Sequence, residues 1–446
     1  TALGTSETAS LAICILFLMP FTGFYVSLGG LWGVLWTDLF QFVLKMGVVI
    51  AVAYYGVGAV GGMHALLSKL AAMQNAAGPD AADITALVPN FSHGLTAETL
   101  WTLPVLTFLV HLGVQWWAFW YPGAEPGGGG YIAQRIFSAR DERNGLLSVL
   151  WFNIAHYALR PWPWILAALA AVALYPGLQH PESGYMLVAT SQVPHALRGL
   201  LFAGFLAAFM STVATQLNWG SSYLVADFYR RFLRRGAAEA HYVLVSRVVT
   251  LLLVVAAGYI SARLVSITSG WQFVLEAGAG TGGVYLLRWY WWRVNAWSEI
   301  SAMASALLVS VALHVWQPFS GKGPVVFAKS ALITTAVTTV AWIAVTLLTP
   351  AEPQEVLARF YRQVRPDVRG WKHVAQYAAD VAGTRDLGPN LYNWLLGCLM
   401  VYAALFFIGS LCFGRLGRAC VLFVVAAICA FLISASLKRS AAPLSE

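Results

Sequence analysis

Leu197-Arg-Gly-Leu-Leu-Phe-Ala-Gly-Phe-Leu-Ala-Ala-Phe-Met-Ser-Thr-Val-Ala-Thr-Gln-Leu-Asn218 is an apolar run with a polar seam drawn along it. A helix needs roughly 20 predominantly apolar residues to cross a bilayer, and this stretch, continued to Asp227, is long enough. Ala208, Ser211, Thr212, Thr215, Asn218, Trp219 and Ser222 recur at helical spacing, so they share one stripe of the span. Closely spaced hydroxyls beside helix carbonyls offer several neutral oxygens to a hard, singly charged cation losing part of its water shell, and sodium fits that chemistry. The plainer reading is that small and hydroxyl residues let helices pack closely in a bilayer.

The rest of the 446 residues belongs to the same environment. The chain is 59% hydrophobic and 10% charged, against roughly 25% charged in soluble domains. Runs of spanning length recur about eleven times: 11–30, 35–60, 100–120 with a broken continuation to 137, 146–175, 197–227, 243–265, 271–291, 300–316, 325–348, 391–413 and 419–437. This predicts an all-α, polytopic membrane bundle over residues 1–446 as a single transmembrane transporter domain. The +8 net charge does not argue for nucleic acid, because Lys and Arg sit in short loops between spans. Cys14, Cys398, Cys412, Cys420 and Cys429 lie in or beside apolar spans without CxxC spacing, so neither a zinc site nor a disulfide framework is read. Thr1 opens without a basic n-region and runs straight into an apolar span, so no signal peptide is read, and the absent initiator Met points to an incomplete start.

Basic loops alternate as one face of a membrane requires. Arg135, Arg140 and Arg143 follow the third span, Arg230, Arg231, Arg234 and Arg235 the fifth, and Arg288 with Arg293 the seventh. The segment 349–388 before the last two helices, with Arg359, Arg362, Arg365, Arg369 and Lys372, falls on the same side, as do Lys438 and Arg439. That side is assigned to the cytoplasm, with Arg415 and Arg418 as exceptions.

The third span is interrupted by Trp120-Tyr-Pro-Gly-Ala-Glu-Pro-Gly-Gly-Gly-Gly-Tyr131, which holds a helix poorly. A broken helix at membrane depth is a common way to build a transporter's binding site; a turn outside the membrane is the alternative. The fourth span holds Asn153, His156 and Arg160 at i, i+3 and i+7, one arc of an α-helix. Glu125 and Arg160 suit an opposite-charge pair with each other or with a solute, since a guanidinium fork fits carboxylates; a purely structural ion pair is equally compatible. Trp116, Trp117 and Trp120 offer rings for stacking or an interfacial belt. Asp38 enters a span, where an ionisable residue is costly and usually functional, unless it reaches interfacial water.

The stretch 197–218, continuing to Asp227-Phe-Tyr-Arg-Arg231, resembles the eighth core helix of the sodium:solute symporter family with its arginine-rich exit. Leu28-Gly-Gly-Leu-Trp-Gly-Val-Leu-Trp-Thr-Asp-Leu-Phe-Gln41 is similar to the junction of that family's core helices four and five, and Gln134-Arg-Ile-Phe-Ser-Ala-Arg140 to the exit of core helix six. The resemblance implies an inverted-repeat (five plus five) bundle working by alternating access. It places the principal sodium site on Ala208 (carbonyl), Ser211 and Thr212, and a second ion position on Asp38, Ser211 and Thr215. Ala214 stands where a serine can contribute to that second site, so one sodium is expected rather than two.

His156 stands where sugar-transporting members carry a lysine, and Leu275 where they carry a glutamine, while Glu276 agrees with the family. The resemblance also implies that the first three core helices precede Thr1 in the native protein. The expected activity is sodium-coupled symport of a small polar organic solute bound by Glu125, Asn153, His156, Arg160, Trp117 and Trp120, with sugar-like solutes favoured over amino acids or carboxylates. A membrane-embedded enzyme using His156 is the rival class. Sodium is the coupling ion and no other cofactor is expected; the partners are the solute, sodium and the lipid bilayer, in the cell membrane, which in a bacterium is the inner one.

Overall fold

The computed structural model describes residues 31–78, 83–86, 104–115, 139–263, 267–319, 323–385 and 387–440, together with Ile13, Phe17 and Ile136. Those residues are almost wholly helical, and seven helices are long and apolar enough to cross a membrane. Large apolar side chains stand exposed along them, among them Leu251, Leu252, Val255, Tyr259 and Ile260 on one helix, the surface expected where the solvent is lipid. The chain divides into two compact units, Thr1–Leu70 with Arg160–Val265 and Ala71–Leu159 with Ser266–Glu446.

The first unit contains α1 (Leu31–Val60), α5 (Pro161–Leu174), α6 (Gly184–Ser191), α7 (His195–Ser222) and α8 (Glu239–Arg263); α2 (Met63–Ala77) begins in it. Gly61 and Gly62 end α1 with φ of 103° and 94°, and the Gly62 amide reaches back to the Val57 carbonyl at 2.9 Å. Residues with a Cβ pay sterically for that left-handed geometry. A second helix starts at once, with Leu66 and Leu70 buried. Val48, Val52 and Ala53 of α1, Ala167 and Ala171 of α5, Val188 and Ala189 of α6 and Leu201 of α7 form one core. Small side chains dominate it, and α5 approaches closely enough that a methyl group at Gly56 would lie 3.3 Å from Ala170 Cβ. In a bilayer such close packing, rather than water exclusion, holds helices together.

The second unit contains α3 (Val105–Val110, then π-helical through His111–Gln115), α4 (Glu142–Asn153, then π-helical through Ile154–Leu159), α9 (Ile267–Ala279), α10 (Gly282–Leu287), α11 (Ala296–Trp316), α12 (Pro324–Leu348), α13 (Gln354–Val364), α14 (Val368–Ala375), α15 (Leu387–Cys412) and α16 (Leu416–Ser440). Asn295 and Ser298 cap α11 reciprocally, and Pro324 starts α12 where a missing N–H does no harm. The seventh span, expected as one helix, is broken at Gly280–Thr281 into α9 and α10. The break is filled from α12: Thr335 Oγ1 donates to the Ala279 carbonyl at 3.1 Å, and Thr338 comes so close that a methyl at Gly280 would overlap it. Ser330, Thr334, Thr338 and Thr346 of α12 are all buried, Thr346 Oγ1 donating to Ser298 Oγ at 2.6 Å.

The segment between α12 and α15 is built rather than loose. Leu357, Tyr361, Trp371, Val374 and Ala378 form its own core. Trp371 Nε1 donates to the Trp289 carbonyl at 3.0 Å and the Trp292 amide to the Gly370 carbonyl at 3.3 Å. Arg293 Nη2 donates to the Thr349 carbonyl at 2.6 Å and Asn295 Nδ2 to that of Pro350 at 3.0 Å. Asp367 is buried, its carboxylate accepting from the Arg369 amide at 2.9 Å and the Leu387 amide at 3.1 Å. Burial pushes that carboxyl up, but the two amides and the charges of Arg369 and Arg385 outweigh it and hold it below the usual carboxylate range.

Candidate functional site

The seam lies on α7, and the packing of that helix explains why it is available. Phe209, Val213 and Leu217 occupy one face and pack with Leu253, Val254 and Ala257 of α8; Gly220, further along, faces Leu253. At about 100° per residue, Leu197, Leu201, Gly204, Ala208, Ser211, Thr212 and Thr215 run down the other side. That second face changes character along its length. Its early part, Leu197 and Leu201 with Phe205 beside them, packs into the core shared with α1; further along, Ala208 is half-buried and Thr212 is exposed. Ser211, Thr215 and Asn218 are helical in backbone, and their side chains lie outside the described set. Ser222 Oγ donates to the Trp219 carbonyl at 2.8 Å, so that end of the stripe bonds to its own helix.

The structure brings α1 against this face. A methyl at Gly204 would lie 3.3 Å from Val48 Cγ2, and further along α1 Gly56 meets Val188 on α6, the short helix just before α7. α1 and α7 therefore run in opposite directions. Both helices rise about 1.5 Å per residue, so stepping back from Val48 and forward from Gly204 sets Gln41 level with Ser211 and Asp38 level with Ala214, one residue from Thr215. The Asp38 side chain lies outside the described set. That of Gln41 is described: it continues the line of Leu44, Val48 and Val52 on α1, and its Oε1 is buried without a hydrogen-bond partner. Sequence reasoning passed over Gln41, seeing it only as the last residue of a matched motif; its glutamine amide inside an apolar span was the available signal.

The proposed solute residues are placed less completely. Glu125, Trp117 and Trp120 lie outside the described residues, as does the whole interruption 120–131. Asn153 ends the α-helical part of α4 and donates from Nδ2 to the Val149 carbonyl at 2.8 Å. His156 stands in the π-helical part, stacked on Phe152 at 5.2 Å between ring centroids and edge-on to Tyr157 at 4.7 Å. Arg160 is exposed at the turn where α5 begins. The arc expected for these three assumed α-helical spacing. Pro161 has no N–H to give the preceding turn, and residues 154–159 take the wider π ladder, so i, i+3, i+7 arithmetic does not carry across them. Leu150 and Ile154 of α4 pack with Met400, Cys429 and Ile433 of α15 and α16.

A hollow of about 620 Å³ lies at the basic end of α7, where the chain continues as a π-helix (Tyr223–Leu233); it is lined by Arg230, Arg231, Phe232, Arg235 and Gly236. Arg230 is paired there with Glu239 at 2.8 Å and lies over the Tyr242 ring.

The profile of the sodium:solute symporter family matches residues 2–308. The sodium/glucose cotransporter of Vibrio parahaemolyticus is 25% identical over 329 residues, 69% of this chain and 58% of that protein. The sodium/proline symporter of Escherichia coli is 26% identical over 317 residues, 67% of this chain and 55% of that protein. A solved structure of a Na+-coupled sialic acid symporter, in a substrate-bound outward-open state, superposes with a TM-score of 0.53 at 16% identity, covering 78% of this chain and 68% of that one; that likeness shows the fold. The chain spans about half the length of the curated relatives it matches. With the profile running through α7, α1 and the broken α9–α10 helix, this all-helical, multi-pass membrane chain belongs to the sodium:solute symporter family.

Proposed function

We propose that the chain forms the core of a sodium-coupled symporter that moves a small polar organic solute by alternating access, sugar or sugar-like solutes being favoured. The observation that carries this reading is the hydroxyl-bearing stripe of α7, on the side away from α8 and with Thr212 exposed, within a chain that matches a family of transporters along most of its length. Ala208, Ser211 and Thr212 are proposed to hold sodium, Asp38 and Thr215 to line a second ion position or path, and Asn153, His156 and Arg160 with Glu125, Trp117 and Trp120 to meet the solute. A helix in which hydroxyls face away from the packed side supplies oxygens without breaking helix contacts.

An amino-acid symporter is the second reading, supported by sodium/proline symporters that match as well as the sodium/glucose cotransporter does. Arg160 suits the carboxylate of such a solute. The family is one of transporters, which supports transport over the enzyme alternative at His156. The deciding experiment is a thermal-shift panel of sugars, polyols, amino acids and carboxylates on the full-length protein with and without sodium, since a ligand of the folded state raises its melting point by mass action. A sugar or polyol that stabilises only with sodium supports the first reading, and an amino acid that does so supports the second. Sodium-indifferent shifts throughout would remove the symport reading.

A further inference from the structure

We infer that Gln41 supplies an oxygen to the monovalent cation bound between α1 and α7. The inference rests on the symport reading and adds a binding residue to it. Three observations carry it. Gln41 Oε1 is buried and has no hydrogen-bond partner, and a carbonyl oxygen withdrawn from water without a donor costs free energy on the order of 1–3 kcal/mol. Gln41 stands on the line of α1 that packs with α7 at Leu44 and Val48, and the antiparallel register fixed by Val48 against Gly204 sets it level with Ser211. On the facing stretch of α7, Thr212 is exposed.

The chemistry of the position is specific. An amide oxygen is neutral, hard and strongly dipolar, so it replaces one water of a sodium ion without adding charge. Asp38, one turn earlier on α1 and level with Ala214, brings the negative charge. Gln41 offers a sodium ion passing along the seam a neutral ligand at the level of Ser211. A divalent ion would need more carboxylate than this position holds. Sodium leaving toward Asp38 would pass Gln41, so the residue sets how tightly the ion is held, not whether the helix forms.

The test uses sodium alone: radioactive sodium binding to the purified full-length protein. Gln41→Leu is expected to raise the half-saturating sodium concentration about ten-fold, the loss of one contact to a charged group. Gln41→Glu is expected to lower it near neutral pH, and the gain to fade as the new carboxylate protonates. An unmoved binding curve in Gln41→Leu overturns the inference, and if that variant does not fold, an unmoved curve in Gln41→Glu does the same. Absence of sodium binding by the unaltered protein would instead sink the symport reading itself, so the two failures are distinguishable.

Discussion

The hydroxyl stripes of α12 and α7 sit in different surroundings. On α12, Ser330, Thr334, Thr338 and Thr346 are buried against neighbouring helices, and Thr335 reaches the broken backbone at Ala279. On α7, the stripe faces away from α8, Thr212 is exposed, and the nearest level of α1 holds a buried oxygen without a partner. Unpartnered oxygens do not separate the two, since Thr334 and Thr338 have them as well. Surroundings do: Gly280 and Thr338 touch with no space for a methyl group, whereas Thr212 on the α7 stripe is exposed. A hydroxyl stripe in a membrane helix therefore reads as packing or as an ion path only once its neighbours are known.

The sharpest break of that comparison is Ser211→Ala with Thr212→Val in the full-length protein. Sodium-driven uptake is expected to fall on the order of 100-fold, two contacts to a charged ion being lost, with the melting point little changed. Uptake that survives would place α7 in the same class as α12. Next in size is Gly280→Leu, which drives a side chain into Thr338 and is expected to destabilise the protein by about 1–3 kcal/mol, read as a lowered melting temperature; a variant as stable as the parent would mean that α12 is not packed as described.

Asp367 tests the packed region through pH. Its carboxyl is held below the usual range in the folded protein, so the charged form favours folding. The stabilisation is complete above about 3.9, the unfolded carboxylate value, and is lost as pH falls through the lower folded value. Hydrogen exchange across residues 354–385, corrected for intrinsic rates, should show this loss, and Asp367→Asn should abolish its pH dependence. The smallest effect belongs to Thr338→Val. Removing a buried hydroxyl that has no partner should leave stability equal or raise it by up to about 1 kcal/mol, with sodium binding unaltered; a shifted sodium curve would give α12 an ion role.

Much of the fold was legible because a bilayer imposes one rule on every span. The long apolar runs 35–60, 300–316, 325–348 and 419–437 fall within helices, 391–413 overruns its helix by one residue, and 243–263 of the run 243–265 is helical. What the sequence hid depends on contacts between distant residues. The break at Gly280–Thr281 falls among Gly278, Gly280, Gly282 and Gly283, which hold a helix poorly, but the Thr335 hydroxyl that meets the Ala279 carbonyl comes from α12 and could not be read from residues 271–291. The π-helical turn before Pro161 changes the residue spacing from which the arc of Asn153, His156 and Arg160 was read, and the apolar pattern gave no sign of it. At the site, the α7 stripe could be read from spacing alone, whereas Gln41 needed the register of a second helix. Glu125, Trp117 and Trp120 lie outside the described residues and stand as proposals.

The bonds from Trp371, Gly370, Thr349 and Pro350 to residues 289–295 have a mechanical consequence. Gly370 sits so close to the Tyr290 carbonyl that a side chain there would overlap it, and four hydrogen bonds flank the contact. The stretch after α10 and the α13–α14 segment are thereby clamped into one body, tied to the helices through the packing of Val284 with Ala302 of α11 and Trp342 of α12. Residues 289–295 therefore cannot shift without carrying the α13–α14 segment with them.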